Sequence, residues 1–257
     1  MQLNDRRMNN CRTRGIVLCV SDHSESDKIV TFYSPDLGKA TGIAKGAKRS
    51  RKRFVNKLEE FSLLEVHYTP PKKDGLLFLR EAELENAFLS LRNVYPRYVA
   101  AAFVGELTLR FTREHDPDPF IFALFHWAIQ GLENGRDPLA ICALFHLRIL
   151  GAAGYQPILG KCGFCGEPVR AGQVYSLPTG GGSLVCGTCR STVKGGTCAI
   201  TVQTLKFLHH AQRTDLGNLD RLRLSRKNIE ETLEILHKYT LHLLQHEIHS
   251  WQQLKAL

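Results

Sequence analysis

The sequence predicts an α+β chain of several parts: a small N-terminal β-barrel, an α-helical domain, and a cysteine-bearing segment inserted between the helices. Three observations carry this expectation. Five short runs of Val, Ile, Leu, Phe and Tyr precede residue 82, the apolar period changes from two to about 3.6 after Glu81, and two Cys-x-x-Cys pairs sit in a glycine-rich stretch.

The five runs cover residues 15–21, 27–34, 41–44, 61–69 and 76–80. Turn chemistry separates them, as in Ser34-Pro35-Asp36-Leu37-Gly38 and Pro70-Pro71-Lys72-Lys73-Asp74-Gly75. Five short strands in so little chain fit an OB-fold, whose sheet commonly takes oligonucleotides on one face. Beyond them Val99, Phe103, Leu107 and Phe111 recur every fourth residue, predicting a helix over 95–114. Asp118-Pro119 and Asp137-Pro138 each place a side-chain acceptor at an N-cap and a proline in the first helical position. Helices are expected over 119–134 and 138–153, then over 201–213 and 226–254. The expected parts are a barrel over 1–82, helical segments over 83–160 and 200–257, and the insertion over 161–199.

The chain of 257 residues is 43% hydrophobic, enough for a buried core. No stretch reaches the roughly 18 to 20 apolar residues that span a bilayer, and the first fourteen residues lack the apolar centre of a signal peptide. A cytoplasmic protein without a membrane partner is therefore expected. Its formal charge of +9 makes a polyanion a plausible partner.

In a reducing compartment, Cys-x-x-Cys pairs point to metal or redox chemistry before a disulfide framework. Cys162-Gly-Phe-Cys165 and Cys186-Gly-Thr-Cys189 are separated by twenty residues. A two-residue gap lets one tight turn aim two sulfurs at one ion, so two such turns suit a tetrahedral zinc. Four protein ligands leave no open position for water, which favours one structural Zn2+ over a catalytic one. A redox pair or a zinc-dependent enzyme is the competing reading. Cys11, Cys19, Cys142 and Cys198 are scattered and read as small buried hydrophobes.

Residues 38–57 carry Lys39, Lys45, Lys48, Arg49, Arg51, Lys52, Arg53 and Lys57 with no acidic residue. On a barrel edge such a run would hold phosphates without reading sequence, and binding would fall by about 0.7 log units per phosphate per decade of salt for a single strand. Phe54, with Phe32 and Tyr33 in a strand, could supply stacking faces for bases, although aromatics in short strands more often belong to the core. The glycines here do not match a nucleotide-phosphate loop, because Lys48 does not directly follow Gly46. His242, His246 and His249 are expected to face solvent on the last helix, off the stripe of Ile229, Leu233, Leu236, Leu243 and Trp251.

Several fragments, in order, carry a family resemblance: Gly15-Ile-Val-Leu18, Ser24-Glu-Ser-Asp-Lys-Ile-Val30, Leu37-Gly-Lys39, Ala44-Lys-Gly-Ala-Lys48, Leu79-Arg-Glu-Ala-Glu-Leu84 and Gly154-Tyr-Gln-Pro157. The chain resembles the RecO family along nearly its whole length. It departs at Glu60, where the family pattern has proline, and in its longer polar extension before Arg14. The resemblance implies an N-terminal OB-fold, a helical domain and a zinc-finger insertion, in a nucleoid-associated DNA repair and recombination mediator without a catalytic residue. It further implies binding to single- and double-stranded DNA, annealing of complementary strands, and loading of recombinase on strands coated by single-strand-binding protein. RecR, that protein's C-terminal tail and RecF are the implied partners. The family's basic barrel surface falls here on Lys39, Lys45, Lys48, Arg49 and Arg53, and zinc would support structure rather than define activity. An adaptor whose zinc module contacts only proteins is the alternative.

Overall fold

The computed structural model describes residues 10–71, 73 and 75–257. The first nine residues, on which much of the leader reading rests, and Lys72 and Asp74 of the 70–75 turn lie outside the described residues. By its internal contacts the chain divides into two units. One takes the chain through Asn93 together with Thr112–Gln130, and the other takes Val94–Phe111 with Gly131–Leu257.

In the first unit, β1 (Cys11–His23), β2 (Asp27–Ser34), β3 (Gly38–Ala44), β4 (Leu63–Thr69) and β5 (Leu77–Asn86) close a barrel in the order β1-β2-β3-β5-β4, with β1 pairing β4. Only β3 and β5 run parallel. Closure gives every barrel strand a neighbour on both sides, and the alternation along β3 and β4 turns Ala40, Ala44, Leu64 and Val66 inward. Phe54 and Leu58, from the segment between β3 and β4, complete this core. Phe32, Tyr33 and Phe54 are at most 3% exposed, so the expectation that they offer stacking faces is corrected: they are core. Tyr33 keeps its hydroxyl satisfied at the backbone of Asp118, and burial pushes its pKa up to about 12.

Three strands outrun their predicted bounds: β1 at both ends, β3 at its start and β5 at its end. The second half of β5 is Glu81-Ala-Glu-Leu-Glu-Asn86, poor in β-formers, yet register places its acids on the barrel exterior, where Glu85 accepts a fork of bonds from Arg14 of β1 at 2.6–3.0 Å. The short helix α1 (Leu89–Asn93) follows.

In the second unit α2 (Tyr95–Phe111) packs on α4 (Pro138–Ala152), which packs on α5 (Val202–Arg213) and α6 (Arg226–Leu244). The helix α3 (Pro119–Glu133), whose residues through Gln130 belong to the first unit, follows α2 in sequence, and both predicted Asp caps form: Asp118 accepts from Phe120 N at 2.8 Å and Asp137 from Leu139 N at 3.0 Å. The helix expected over 226–254 is not continuous. It ends at Gln245, which adopts φ 54°, and a separate helix α7 (Trp251–Lys255) follows. The carboxylate of Glu106 in α2 accepts from His249 N, Ser250 N and Ser250 Oγ at 2.7–2.9 Å, so a side chain distant in sequence fixes the two residues that lead into α7. Burial opposes ionisation of Glu106, but these bonds outweigh it and lower its pKa. His242, His246 and His249 are exposed as expected, although only His242 lies on a helix.

His146 of α4 is fully buried, its Nε2 2.6 Å from Thr240 Oγ1, and the ring of His237 stacks on Trp251 at 4.0 Å. Unfolded, such a ring takes a proton near pH 6.5, whereas burial and then the neighbouring His237 hold native His146 neutral to about pH 3. Burial likewise lowers His237 to about 4. Both folded values are depressed, so stability is complete above pH 6.5 and is lost as pH falls toward them. His146 alone should remove about 1.4 kcal/mol per pH unit below about 6, with a smaller share from His237. Urea midpoints between pH 7.5 and 5 should therefore fall, and His146→Asn should flatten the slope; an unaltered slope in that variant would refute the assignment.

Candidate metal centre and nucleic-acid interface

The inserted segment builds a three-stranded sheet in the order β7-β6-β8 from β6 (Tyr175–Pro178), β7 (Val185–Cys186) and β8 (Thr197–Ile200). Strands of two to four residues cannot bury much. What organises this segment is the pair of cysteine turns. In the first, Gly163 N donates to Leu184 O at 2.7 Å and Gly166 N to Cys162 O at 3.0 Å. A Cβ on Gly163 would stand 2.6 Å from that of Ser183, and Gly166 has φ 75°, so both positions need glycine. In the second turn, Cys189 N donates to Cys186 O at 3.1 Å.

These turns bring the sulfurs of Cys162, Cys165, Cys186 and Cys189 within 4.8 Å of one another. A tetrahedral thiolate site with metal–sulfur bonds of about 2.3 Å has edges of about 3.8 Å, and Cys165 Sγ lies 3.8 Å from Cys186 Sγ. The donor set therefore fits a tetrahedral ion. Burial opposes the Cys162 thiolate, yet backbone N–H groups of Cys165, Cys186 and Phe164 outweigh it and lower its pKa to about 6. Crowding by the Cys186 thiol, aided by burial, pushes Cys189 the other way. Four thiolates this close need a cation among them. Of the four scattered cysteines only Cys142 is buried; Cys11 and Cys198 are half-buried and Cys19 is exposed, which corrects the expectation for those three.

The basic segment leaves the barrel as a turn of 3-10 helix, Ala47–Arg49, with Ala47, Phe54 and Leu58 pointing inward and the cations outward. Asp27 fastens its start by accepting from Gly46 N at 2.8 Å, and this bond, with one from Ser26, lowers the Asp27 pKa. Lys48 reaches Ser24 O at 3.0 Å and Asp22 at 3.1 Å. Arg53 donates to Lys45 O and Arg80 O at 3.1 and 3.2 Å and lies over the Phe54 ring. Arg49 faces Glu25 at 3.8 Å in solvent, a pair worth little. Lys45, Arg51 and Lys52 are exposed and make no ion pair among the described residues. Lys39 and Lys57 differ: each is half-buried, Lys39 Nζ donating to Thr112 O at 2.8 Å and Lys57 Nζ to Ala82 O at 2.7 Å. Six of the eight cations thus form one exposed stretch over 45–53, and two brace the fold.

Sequence reasoning passed over a second cluster on the barrel, where His67 lies 3.2 Å from Glu65 and 3.5 Å from Glu83. Only strand register brings Glu83 of β5 opposite Glu65 of β4, so spacing gives no sign of it.

The family model described as recombination protein O N terminal matches residues 8–88, and that described as recombination protein O C terminal matches residues 92–252. The chain belongs to the RecO family. It is 31% identical over 247 residues to a DNA repair protein RecO of Syntrophus aciditrophicus, covering 96% of this chain and 95% of that one. Over 179 residues it is 38% identical to the DNA repair protein RecO of Syntrophobacter fumaroxidans, 70% of this chain and 71% of that one. As a RecO-family chain it has the OB-like barrel, the helical part and the four-cysteine cluster expected of it. No helix among the described residues is long and apolar enough to cross a membrane.

Proposed function

We propose that this chain is a recombination mediator of DNA repair that binds single- and double-stranded DNA through the cations of residues 45–53, anneals complementary strands, and helps load recombinase on strands coated by single-strand-binding protein. The observation that carries the reading is the exposed, nearly acid-free basic stretch held on a closed OB-like barrel. Cations so placed screen repulsion between two phosphate backbones, and base pairing then supplies the driving force, so no covalent step is required. The four cysteines hold one structural Zn2+, which fixes the geometry of the insertion. RecR, RecF and the tail of single-strand-binding protein are the protein partners of this reading.

The test is titration of labelled oligonucleotides of unrelated sequence at 50 and 200 mM salt. Five phosphate contacts would give a slope of about −3.5 for a single strand, hence about a hundredfold loss of affinity over that range for every sequence. No binding at the lower salt would overturn the reading in favour of a protein-only adaptor.

A further inference from the structure

A second concentration of positive charge lies in the helical unit. Residues 206–227 hold six basic side chains, Lys206, Arg213, Arg221, Arg223, Arg226 and Lys227, against Asp215 and Asp220. Along an extended chain that count would mean little. Here α5 and the following 3-10 turn, Leu216–Arg221, fold so that Lys206, His209, His210, Arg213 and Arg221 line one cleft of about 690 Å3. Lys206, His210, Arg213 and Arg221 are exposed, and Asp215 is the single carboxylate in the lining.

The C-terminal end of a helix ordinarily repels an anion, because its last carbonyls point outward. At α5 that end is already covered: Arg148 donates to the carbonyls of Ala211, Gln212 and Thr214. Asp220, outside the lining, is ion-paired to Arg136. The cations of the cleft therefore face solvent with little local negative charge to offset them.

His209 also lines a second, mostly apolar cleft of about 620 Å3, walled by Pro157, Ile158, Leu159 and Pro168, with Gln156, Lys161 and Gln212 also in its lining. Its ring lies where a side chain on residue 160 would stand: a Cβ on Gly160 would come within 3.0 Å of it. Ile158 is 51% exposed there. A cation-lined cleft thus passes, across an imidazole, into a mostly apolar one whose lining includes one further cation, Lys161. That sequence of surfaces suits a polymer that is anionic along one side and flat and apolar along the other, a single nucleic-acid strand. A duplex hides its base faces, and a free phosphate would use only the first cleft.

We propose that these joined clefts hold a single strand of nucleic acid, with phosphates on Lys206, Arg213 and Arg221 and bases against His209 and Ile158, as a site additional to the barrel. The proposal rests on the strand-binding reading above and deepens it. Two strand sites on one chain raise the local concentration of one strand near the other, which is what annealing needs.

The test uses the full-length protein and the variant Lys206→Ala/Arg213→Ala/Arg221→Ala, all exposed positions, with metal content and circular dichroism as folding controls. The probe is a short labelled oligonucleotide without self-complementarity. Two equivalents bound by the unaltered chain and one by the variant, with annealing slowed about tenfold and the salt slope reduced by about 2, is the expected result. The same stoichiometry and annealing rate in both proteins would overturn the proposal. So would full displacement of the second equivalent by inorganic phosphate at matched phosphate concentration, or a variant that loses binding to a polyaspartate peptide but not to the oligonucleotide. A parallel variant, Lys45→Ala/Arg51→Ala/Lys52→Ala, keeps the two claims apart. If it binds as much oligonucleotide as the unaltered chain while the cleft variant binds none, the barrel reading fails and the cleft stands.

Discussion

Dialysis against a strong chelator under reducing conditions is expected to release one zinc ion per chain and to melt residues 161–199, while the barrel strands keep their protection from hydrogen exchange. The insertion has little else to hold it. Its sheet is three strands of four, two and four residues, and the buried side chains Tyr175, Leu177, Leu184 and Val185 sit around the cysteine turns. Apparent binding energies of about 10 to 16 kcal/mol for structural zinc in small peptides exceed anything such a sheet could supply. Single Cys→Ser changes should follow burial. Cys162 and Cys186, at 1% and 7% exposure, should cost more stability than the exposed Cys165, because each leaves a hydroxyl in a site closed to water as well as an incomplete ligand set. Native protection at Leu177 and Leu184 in fully metal-free protein would sink the structural role. Disulfide formation between Cys162 and Cys165 at an unchanged fold would favour the redox alternative.

The parts legible in sequence were those whose cause is local. The Asp-Pro starts of α3 and α4 announce themselves because cap and proline act within one turn. The cysteine turns announce themselves because ligand spacing is a property of a four-residue stretch. The length of β5 was hidden, since nothing in Glu81-Ala-Glu-Leu-Glu-Asn86 shows that Arg14 waits across the sheet for Glu85. The break before α7 was hidden for the same reason: periodicity continues through Gln245, and the carboxylate that fixes the residues leading into the next helix belongs to Glu106. The candidate interface divides likewise. A run of cations is visible as a run, but that Lys57 turns back onto Ala82 O while Arg51 and Lys52 stay in solvent depends on how Phe54 and Leu58 enter the core. The cleft between α5 and its following turn needs the chain to fold back, so its cations look scattered in sequence.

That division among the cations sets the last expectation. Replacing Lys45, Arg51 and Lys52 together by alanine should weaken binding to single strands of every sequence by about a hundredfold at low salt and flatten the salt slope by about 2, since each phosphate contact contributes about 0.7. Stability should not change, because these side chains are exposed and unpaired among the described residues. Lys57→Ala should do the reverse. Its ammonium holds the carbonyls of Lys52, Arg53 and Ala82, so its loss should lower the unfolding free energy by about 1 to 3 kcal/mol, read from urea midpoints, and shift affinity only through a looser loop. Arg53 stands between the two classes, exposed yet bonded to Lys45 O and Arg80 O, and its removal should lower both quantities. A screen in which all three variants lost affinity equally per charge removed, with equal stability, would mean that net charge alone governs binding. The loop geometry that separates holding a strand from holding the barrel would then be irrelevant.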